Sequence, residues 1–486
     1  MICLHTNRPV FLQDMADIIR LFFFGQEVIQ GLGDTPDKDR LTFCHDWHEQ
    51  DDTWVQQVSL WQEGRLVVQD QFVYPAMQGD EVTVVRFVRR AIKLCVYRML
   101  QKHTHHTPPW GALTGIRPTK LLRQMLGEKG GMDEAVAFLC KEMDVQPAKT
   151  SLLRKILEVQ EPWYAKEPDA LDVYVGIPFC PSRCAYCSFF GMDTQQGKNL
   201  IDPYIDALVK ELQGCAGIVE GRVVRSLYVG GGTPTALGVD GLAKVLEATA
   251  SLFPGVFEKT VEAGRPDTLG DAMIAMMKNM GVTRVSVNPQ TMNDETLVRV
   301  GRRHTVQQTV DALFGVRAAG FQSVNMDIIL GLPGEGCADM ERTLSKVSQL
   351  PIDNLTVHTL AIKRSSKIHE FPDRYPLPGA DAVEGMVNKA GEVARSMGMQ
   401  PYYMYRQKYM TGNLENVGYA TPGMECVYNI DMMEETHSIL AFGAGAICKR
   451  MRRDEECHER LTNHKSIAHY IANVDAAVAN KVAFFK

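Results

Sequence analysis

The 486-residue chain contains no apolar run near the roughly 18 residues that a membrane-spanning helix requires. Its densest apolar cluster, Leu21-Phe-Phe-Phe24, is far too short, and the residues before it do not read as a secretory leader. There is no basic excess: 52 Lys and Arg against 58 Asp and Glu leave a formal charge of −6, which argues against non-specific nucleic-acid binding. Internal repeats and low-complexity tracts are absent. The twelve cysteines form no disulfide-like framework, and most are scattered, as expected for small buried hydrophobes in a reducing compartment. These absences lead to the expectation of a cytoplasmic protein with neither a membrane nor a nucleic-acid partner. With 45% hydrophobic and 23% charged residues, the composition is that of a globular chain, long enough for two or three domains.

Three cysteines break the scatter. Cys180, Cys184 and Cys187 form C-x3-C-x2-C directly after the apolar run Val173–Phe179. Thiolates this close can converge on one metal centre, and iron–sulfur clusters are held by Cys thiolates. No fourth Cys and no His stands nearby, whereas structural zinc calls for four protein ligands. Three ligands on a four-iron cubane leave one iron open for chemistry. The alternatives are a chance crowding of thiols or zinc with a distant fourth ligand. Cys448, Cys457 and His458 are too poorly spaced to make a convincing second metal site. His103, His105 and His106 lie in a polar, proline-flanked loop and read as solvated.

Along the chain, residues 1–165 read as an α+β domain. Strands are expected at Trp54–Trp61 and Arg65–Tyr74 as a hairpin, followed by helices at Val82–Gln101, from Pro118, at Asp133–Glu142 and at Ala148–Gln160. A Pro-bearing linker, Glu161–Ala170, follows. From 166 to 370, strand and helix alternate. Strands are expected at Asp172–Phe179, Ser226–Gly230, Thr260–Ala263, Arg284–Asn288, Ser323–Leu330 and Asn354–Ala361. Such alternation implies parallel strands with helical crossovers, here a partial, open (β/α)6 barrel whose functional groups gather at the strand C-termini. Residues 371–486 have mixed periodicity and read as a cover domain over the barrel mouth.

The second strand runs into Gly230-Gly-Gly-Thr-Pro-Thr235, where glycines permit close backbone approach to a ligand. No Gly-Lys-Ser/Thr follows, so it is not a Walker A loop. Further polar candidates stand at later strand ends: Glu262, Gln290 and Asp327, with Arg302 between the last two. A carboxylate in such a position can accept from hydroxyls, and an arginine fork can meet a carboxylate.

The stretch Tyr174-Val-Gly-Ile-Pro-Phe-Cys-Pro-Ser-Arg-Cys-Ala-Tyr-Cys-Ser-Phe-Phe190 resembles the cluster loop of the radical S-adenosylmethionine enzymes. Within them it is similar to the oxygen-independent coproporphyrinogen III dehydrogenases and their haem-chaperone relatives. The resemblance implies a [4Fe–4S] cluster on Cys180, Cys184 and Cys187, with S-adenosylmethionine on the open iron. One-electron cleavage of that co-substrate then yields a 5′-deoxyadenosyl radical that abstracts hydrogen. It further implies S-adenosylmethionine contacts at Tyr174, Tyr186, Gly231, Gly232, Thr233, Glu262, Gln290, Arg302, Asp327, Ala361 and Ile447. Two departures mark a diverged branch: Gly176 stands where the best-known members have His, and Ser188 where they have a further Cys. The long first domain and the stretch Tyr405–Tyr419 look like the Bacillus-type branch.

The implied reaction is oxidative decarboxylation of two propionates of coproporphyrinogen III to vinyls in haem biosynthesis, with a low-potential donor of flavodoxin or ferredoxin type. The rivals are a haem chaperone and a radical enzyme acting on another tetrapyrrole. A substrate with four carboxylates wants cations; on charge alone the candidates are Arg364, Arg406, Lys408, Lys449 and Arg450.

Overall fold

The computed structural model describes residues 1–23, 25–31, 39–164, 169–189, 191–408, 410–451 and 458–486. The chain divides into two compact units: residues 1–154 with 407–414, and residues 155–406 with 415–486.

In the first unit a mixed five-stranded sheet runs in the spatial order Val28–Gln30, Ile2–Thr6, Leu41–Gln50, Thr53–Gln62, Arg65–Pro75. The expected hairpin is present. Its turn, Glu63-Gly64, takes positive φ at both residues (52° and 71°), which matches the twist of paired strands. Alternation along Thr53–Gln62 buries Trp54, Val58 and Leu60. The helix Leu12–Phe22 contributes Ile18 and Ile19 to the same core, and Glu81–Thr104 contributes Ile92, Val96 and Leu100. His103, His105 and His106 are exposed at the end of the latter helix.

The second unit is built on an eleven-stranded sheet. At its centre six parallel strands lie in chain order: Ala170–Ile177, Val223–Gly231, Glu258–Glu262, Arg284–Ser286, Ser323–Leu330 and Asn354–Thr359. Helices connect each strand to the next, which gives the (β/α)6 order without closure. Antiparallel strands Asn416–Ala420 and Gln400–Tyr405 extend the sheet past its last parallel strand. Ser438–Phe442 pairs in parallel with the first, followed by Ile447–Met451 and His458–Thr462. The C-terminal stretch thus continues the barrel sheet on both flanks.

Parallel strands covered by helices on both faces normally read as continuous apolar runs. Here one face is polar. Val173, Val175, Leu227, Val229, Val261, Val324, Met326, Ile328, Leu355 and Val357 are buried in one set. The alternate positions, Asp172, Tyr174, Tyr228, Thr260, Ser286, Asn325, Asp327, Thr356 and His358, line the other face. Hydrogen bonds tie them across strands: Asn325 Nδ2 donates to Ser286 Oγ (2.6 Å) and to Asp327 Oδ1 (2.7 Å), and Thr356 Oγ1 donates to Asn325 Oδ1 (3.2 Å). At the strand N-termini, Ser226 Oγ donates to Asp172 Oδ1 (2.6 Å), and Arg284 binds Asn354 Oδ1 (3.1 Å) and faces Glu258 at 3.6 Å.

A second buried network fixes the C-terminal elements. Glu211, on the helix Lys198–Gly214, accepts from Gly443 N (2.8 Å), Asn463 Nδ2 (2.7 Å) and Tyr470 OH (2.7 Å). Lys481 Nζ completes the ion pair with Glu211 and donates to Asn463 Oδ1 (2.9 Å). Glu211 and Lys481 are both buried, but each has several partners, so neither is left as an uncompensated charge. Replacing Lys481 by Ala is expected to destabilise this unit by about 3–5 kcal/mol, because the Glu211 charge stays buried without its partner. The Glu211→Leu/Lys481→Met double variant should recover most of that loss. Urea midpoints for the single and double variants check the expectation; equal losses in both would refute it.

Candidate active site

The first barrel strand ends at Ile177, and the chain then forms the three-cysteine loop. Backbone bonds hold the loop from both sides. Gly232 N donates to Ile177 O and Thr233 N to Phe179 O, each at 2.7 Å; Thr194 N donates to Cys180 O (2.9 Å); and Ala185 N donates to Val300 O (2.9 Å). Ser182 Oγ, which receives Arg265 (3.0 Å), donates to Gly301 O (2.9 Å). Cys187 N closes a turn on Cys184 O (3.1 Å). Thr233 Oγ1 lies 3.6 Å from Cys180 Sγ.

Burial pushes Cys180 up to about 11, reinforced by Cys187 and Cys184 and opposed by Thr233; burial also raises Cys187. Thiols so disposed ionise only against a compensating cation, which cluster iron supplies.

The glycine segment is a cradle that side chains would fill. A Cβ at Gly232 would stand 2.5 Å from Phe179 O and 3.0 Å from Cys180 Sγ, and one at Gly230 2.7 Å from Glu262 Oε2. Gly231 has φ +107°, which also demands glycine.

Beyond the cradle, Glu262 accepts from Gly231 N–H; its carboxyl is pushed up to about 8, first by burial and then by the neighbouring Asp327 charge. Gln290 holds φ at +72°, unusual outside glycine, and its buried Oε1 has no hydrogen-bond partner. Its backbone N donates to Asp327 O at 3.0 Å. Arg302 is buried, and its fork is turned to protein groups: Tyr186 OH (3.1 Å), Gly264 O (2.8 Å) and Asn288 O (2.5 Å), leaving Nε unpartnered. Tyr174 stacks with Tyr228 and Tyr428, and a Cβ on Gly231 would approach its hydroxyl to 3.3 Å.

Cys180, Gly231, Gly232, Thr233, Tyr174, Glu262, Gln290 and Asp327 thus neighbour one another along successive strand ends, with Tyr186 on Arg302. Ala361 lies two residues past the last parallel strand. Ile447, 44% exposed, opens the strand after the loop that follows Phe442. The residues Cys448, Cys457 and His458 are only partly described. Cys448 is buried with its Sγ on Ala441 O (3.4 Å), Cys457 lies outside the described residues, and only the backbone of His458 is described. Of the remaining thiols, Cys337 is exposed rather than a core hydrophobe.

Sequence reasoning missed the aromatic wall. Tyr228 and Tyr428 stack at 4.7 Å; Tyr403 stacks on Tyr405; and Tyr405 OH meets His358 Nδ1 at 3.3 Å, whose Nε2 lies 3.5 Å from Asp327. The signal was present as period-two alternation, Thr356-x-His358 on an expected strand and Tyr403-x-Tyr405 in a stretch read only as mixed in periodicity.

A glycine cradle beside three loop thiols, at the C-terminal end of an open parallel barrel, defines the class. Residues 174–347 match the model of the radical SAM superfamily, and the chain belongs to that family, whose members use a [4Fe–4S] cluster and S-adenosylmethionine. Among its relatives is the oxygen-independent coproporphyrinogen-III oxidase-like protein HemZ of Bacillus subtilis, 36% identical over 423 residues, or 85% of this chain and 84% of the relative. The heme chaperone HemW of Lactococcus lactis is 28% identical over 56% of this chain and 68% of its own length. The heme chaperone HemW of Escherichia coli is 28% identical over 54% and 65%. Among solved structures, coproporphyrinogen III oxidase (HemN) of Escherichia coli shares the fold with a TM-score of 0.53 at 24% identity, over 65% of this chain and 72% of that one.

Alanine at any of Cys180, Cys184 or Cys187 should remove iron, sulfide and visible absorbance from anaerobically purified protein, whereas Cys448→Ala should retain them. Full iron content in Cys184→Ala would overturn the ligand assignment.

Proposed function

We propose that the chain is an oxygen-independent coproporphyrinogen III dehydrogenase. The observation that carries this reading is the extent of similarity. The coproporphyrinogen-III oxidase-like relative matches 85% of the chain, the two chaperones 56% and 54%. Cluster and co-substrate, when bound, supply a hydrogen-abstracting radical. The protein's own groups bind and orient. Glu262 and the Gly231–Gly232 backbone meet the methionyl end, Asp327 accepts from ribose hydroxyls, and Gln290 offers its unpartnered Oε1. Arg302 acts as a positioning residue through Tyr186. Tyr174, Thr233, Ala361 and Ile447 complete the contact set. Each turnover would convert one propionate, –CH2–CH2–COO⁻, to –CH=CH2 and CO2, the hydrogen atom passing to the 5′-deoxyadenosyl radical and the remaining electron to an external one-electron acceptor.

Of the cations expected to hold substrate carboxylates, Lys408 pairs with Asp17 and Arg450 with Glu459, while Lys449 stands 3.8 Å from Glu435. Arg406 is buried, which pushes it down to about 10 against the charge of Glu415. Arg364 is exposed and its neighbour Lys363 half-buried, and among the described residues neither is in an ion pair. A second reading, a haem chaperone on the same scaffold, is supported by the relatives of that name.

Glu262 sets a pH dependence. Burial and the Asp327 charge push its carboxyl up to about 8, and it must ionise to pair with the co-substrate's amino group, so binding at neutral pH should release a proton. Affinity should rise by up to about tenfold per pH unit below 8 and level off above it. Calorimetry at pH 7 in two buffers of different ionisation enthalpy should show nearly one proton released, and none in Glu262→Gln. Absence of proton release in the parent would dismiss this role. Asp327→Ala should keep the cluster but weaken binding by about 10- to 150-fold, the loss of one charge-assisted bond.

The activity itself is tested under strict anaerobiosis. Reduced protein should form 5′-deoxyadenosine slowly alone and faster with coproporphyrinogen III, with protoporphyrinogen IX appearing in parallel. Substrate-independent 5′-deoxyadenosine, no vinyl product and stoichiometric haem binding would instead establish the chaperone reading.

A further inference from the structure

Three ionisable side chains converge at the N-terminal end of the barrel strands, opposite the end that carries the cysteine loop. Asp172 lies near the start of the first parallel strand, and Asp431 on the helix Val427–Glu434. His437 stands immediately before the strand Ser438–Phe442, which pairs with that first strand. One oxygen of each acid and one ring nitrogen of the histidine lie within 4.8 Å of one another. All three residues are buried, at 0%, 0% and 1% exposure.

The hydrogen bonds around them fix which atoms are left over. Asp172 Oδ1 accepts from Ser226 Oγ at 2.6 Å. Asp431 Oδ2 accepts from Arg225 Nε at 3.0 Å, and its Oδ1 from Thr436 Oγ1 at 2.6 Å. Thr436 has one hydroxyl hydrogen, and that bond uses it. The 2.9 Å contact between Thr436 Oγ1 and His437 Nδ1 therefore requires Nδ1 to donate. Nδ1 also stands 3.2 Å from Asp431 Oδ1, so its hydrogen meets both groups and Nε2 is left as a bare lone pair. Asp172 Oδ2 and this Nε2 have no hydrogen-bond partner among the described residues. Both are acceptors, so neither can satisfy the other.

The charges do not balance either. Two carboxylates face one arginine, which leaves a negative charge in a region closed to water, and that is costly without a counter-ion. Two orphaned acceptors and a surplus negative charge call for a cation. One imidazole with two carboxylates suits a divalent transition ion, zinc above all. We propose that Asp172, Asp431 and His437 hold such an ion. Asp172 Oδ2 and His437 Nε2 are the open ligand atoms, and Asp431 keeps lone pairs beyond those its partners use. The ion pins the first barrel strand to the helix and strand that arrive at the far end of the sequence, and it enters as the chain folds. This site does not depend on which reaction the barrel runs.

The test uses the full chain with its cluster in place, produced with zinc in the medium, purified anaerobically and desalted. Zinc should be present at about one per chain in addition to the cluster iron. Its X-ray absorption should show nitrogen and oxygen neighbours at about 2.0 Å and no sulfur shell at about 2.3 Å, which separates this site from zinc on vacant cluster thiols. Asp172→Asn and His437→Gln should keep the iron and lose most of the zinc. Zinc-free parent protein, its two acceptors met by a water or a proton, would overturn the proposal, and so would zinc retained by either variant. If neither variant folds, the parent decides alone: a sulfur shell around its zinc, or no zinc, refutes the site.

Discussion

Everything at the site depends on a close approach of backbone to backbone. The N–H groups of Gly232 and Thr233 bond the carbonyls of Ile177 and Phe179 at 2.7 Å, and this clasp sets where the cysteine loop leaves the barrel. It forms only because residues 230–232 have no side chains, since a Cβ at 232 would overlap Phe179 O. The same missing side chains open the space beside Cys180 and let Glu262 receive the Gly231 N–H. One local feature thus holds the loop, clears the ligand space and sets the environment of the carboxyl facing it.

The polar lumen is the second constraint. A barrel interior filled with branched aliphatics is a core, whereas one lined with Asp, Asn, Thr, His and Tyr must satisfy those groups internally or with ligand. Most are satisfied by one another, as Asn325 shows in bridging Ser286 and Asp327. The exceptions are informative. Gln290 Oε1 lacks a partner, and its residue is held at positive φ, a conformation that costs of the order of 1–3 kcal/mol. Strain and an orphaned acceptor at one residue are what a site kept ready for a ligand would show.

Much of this was legible in the sequence, and the reason is physical. The six parallel strands and the crossover helices could be placed because apolar runs and helical periodicity alternate with glycine and proline breaks. The cysteine loop and the glycine turn were legible because their chemistry is local. What was not legible depends on partners far apart in the chain. The short strands Ile2–Thr6 and Val28–Gln30 carry too few residues to show a period and exist through pairing, Val28–Gln30 with Ile2–Thr6 and the latter also with Leu41–Gln50. The flanking strands after residue 400 have mixed patterns because their pairing, not their own sequence, decides their place. The direction of the Arg302 fork, toward Tyr186 and two carbonyls, could not be read from its spacing. Nor could the engagement of Lys408 and Arg450, cations whose acids are set by the fold.

The Glu211–Lys481 pair spans 270 residues of sequence. A ribosome adding about 5–20 residues per second reaches Lys481 roughly 15 to 50 s after Glu211. Until the chain has grown past Phe442, the acid that will bind Gly443, Asn463 and Tyr470 has none of these partners, and the strand Ser438–Phe442 beside the first barrel strand is not yet made. The nascent barrel therefore spends much of its synthesis with one edge unpaired and a core carboxylate still open to water. Its cluster loop is completed long before the frame that steadies it.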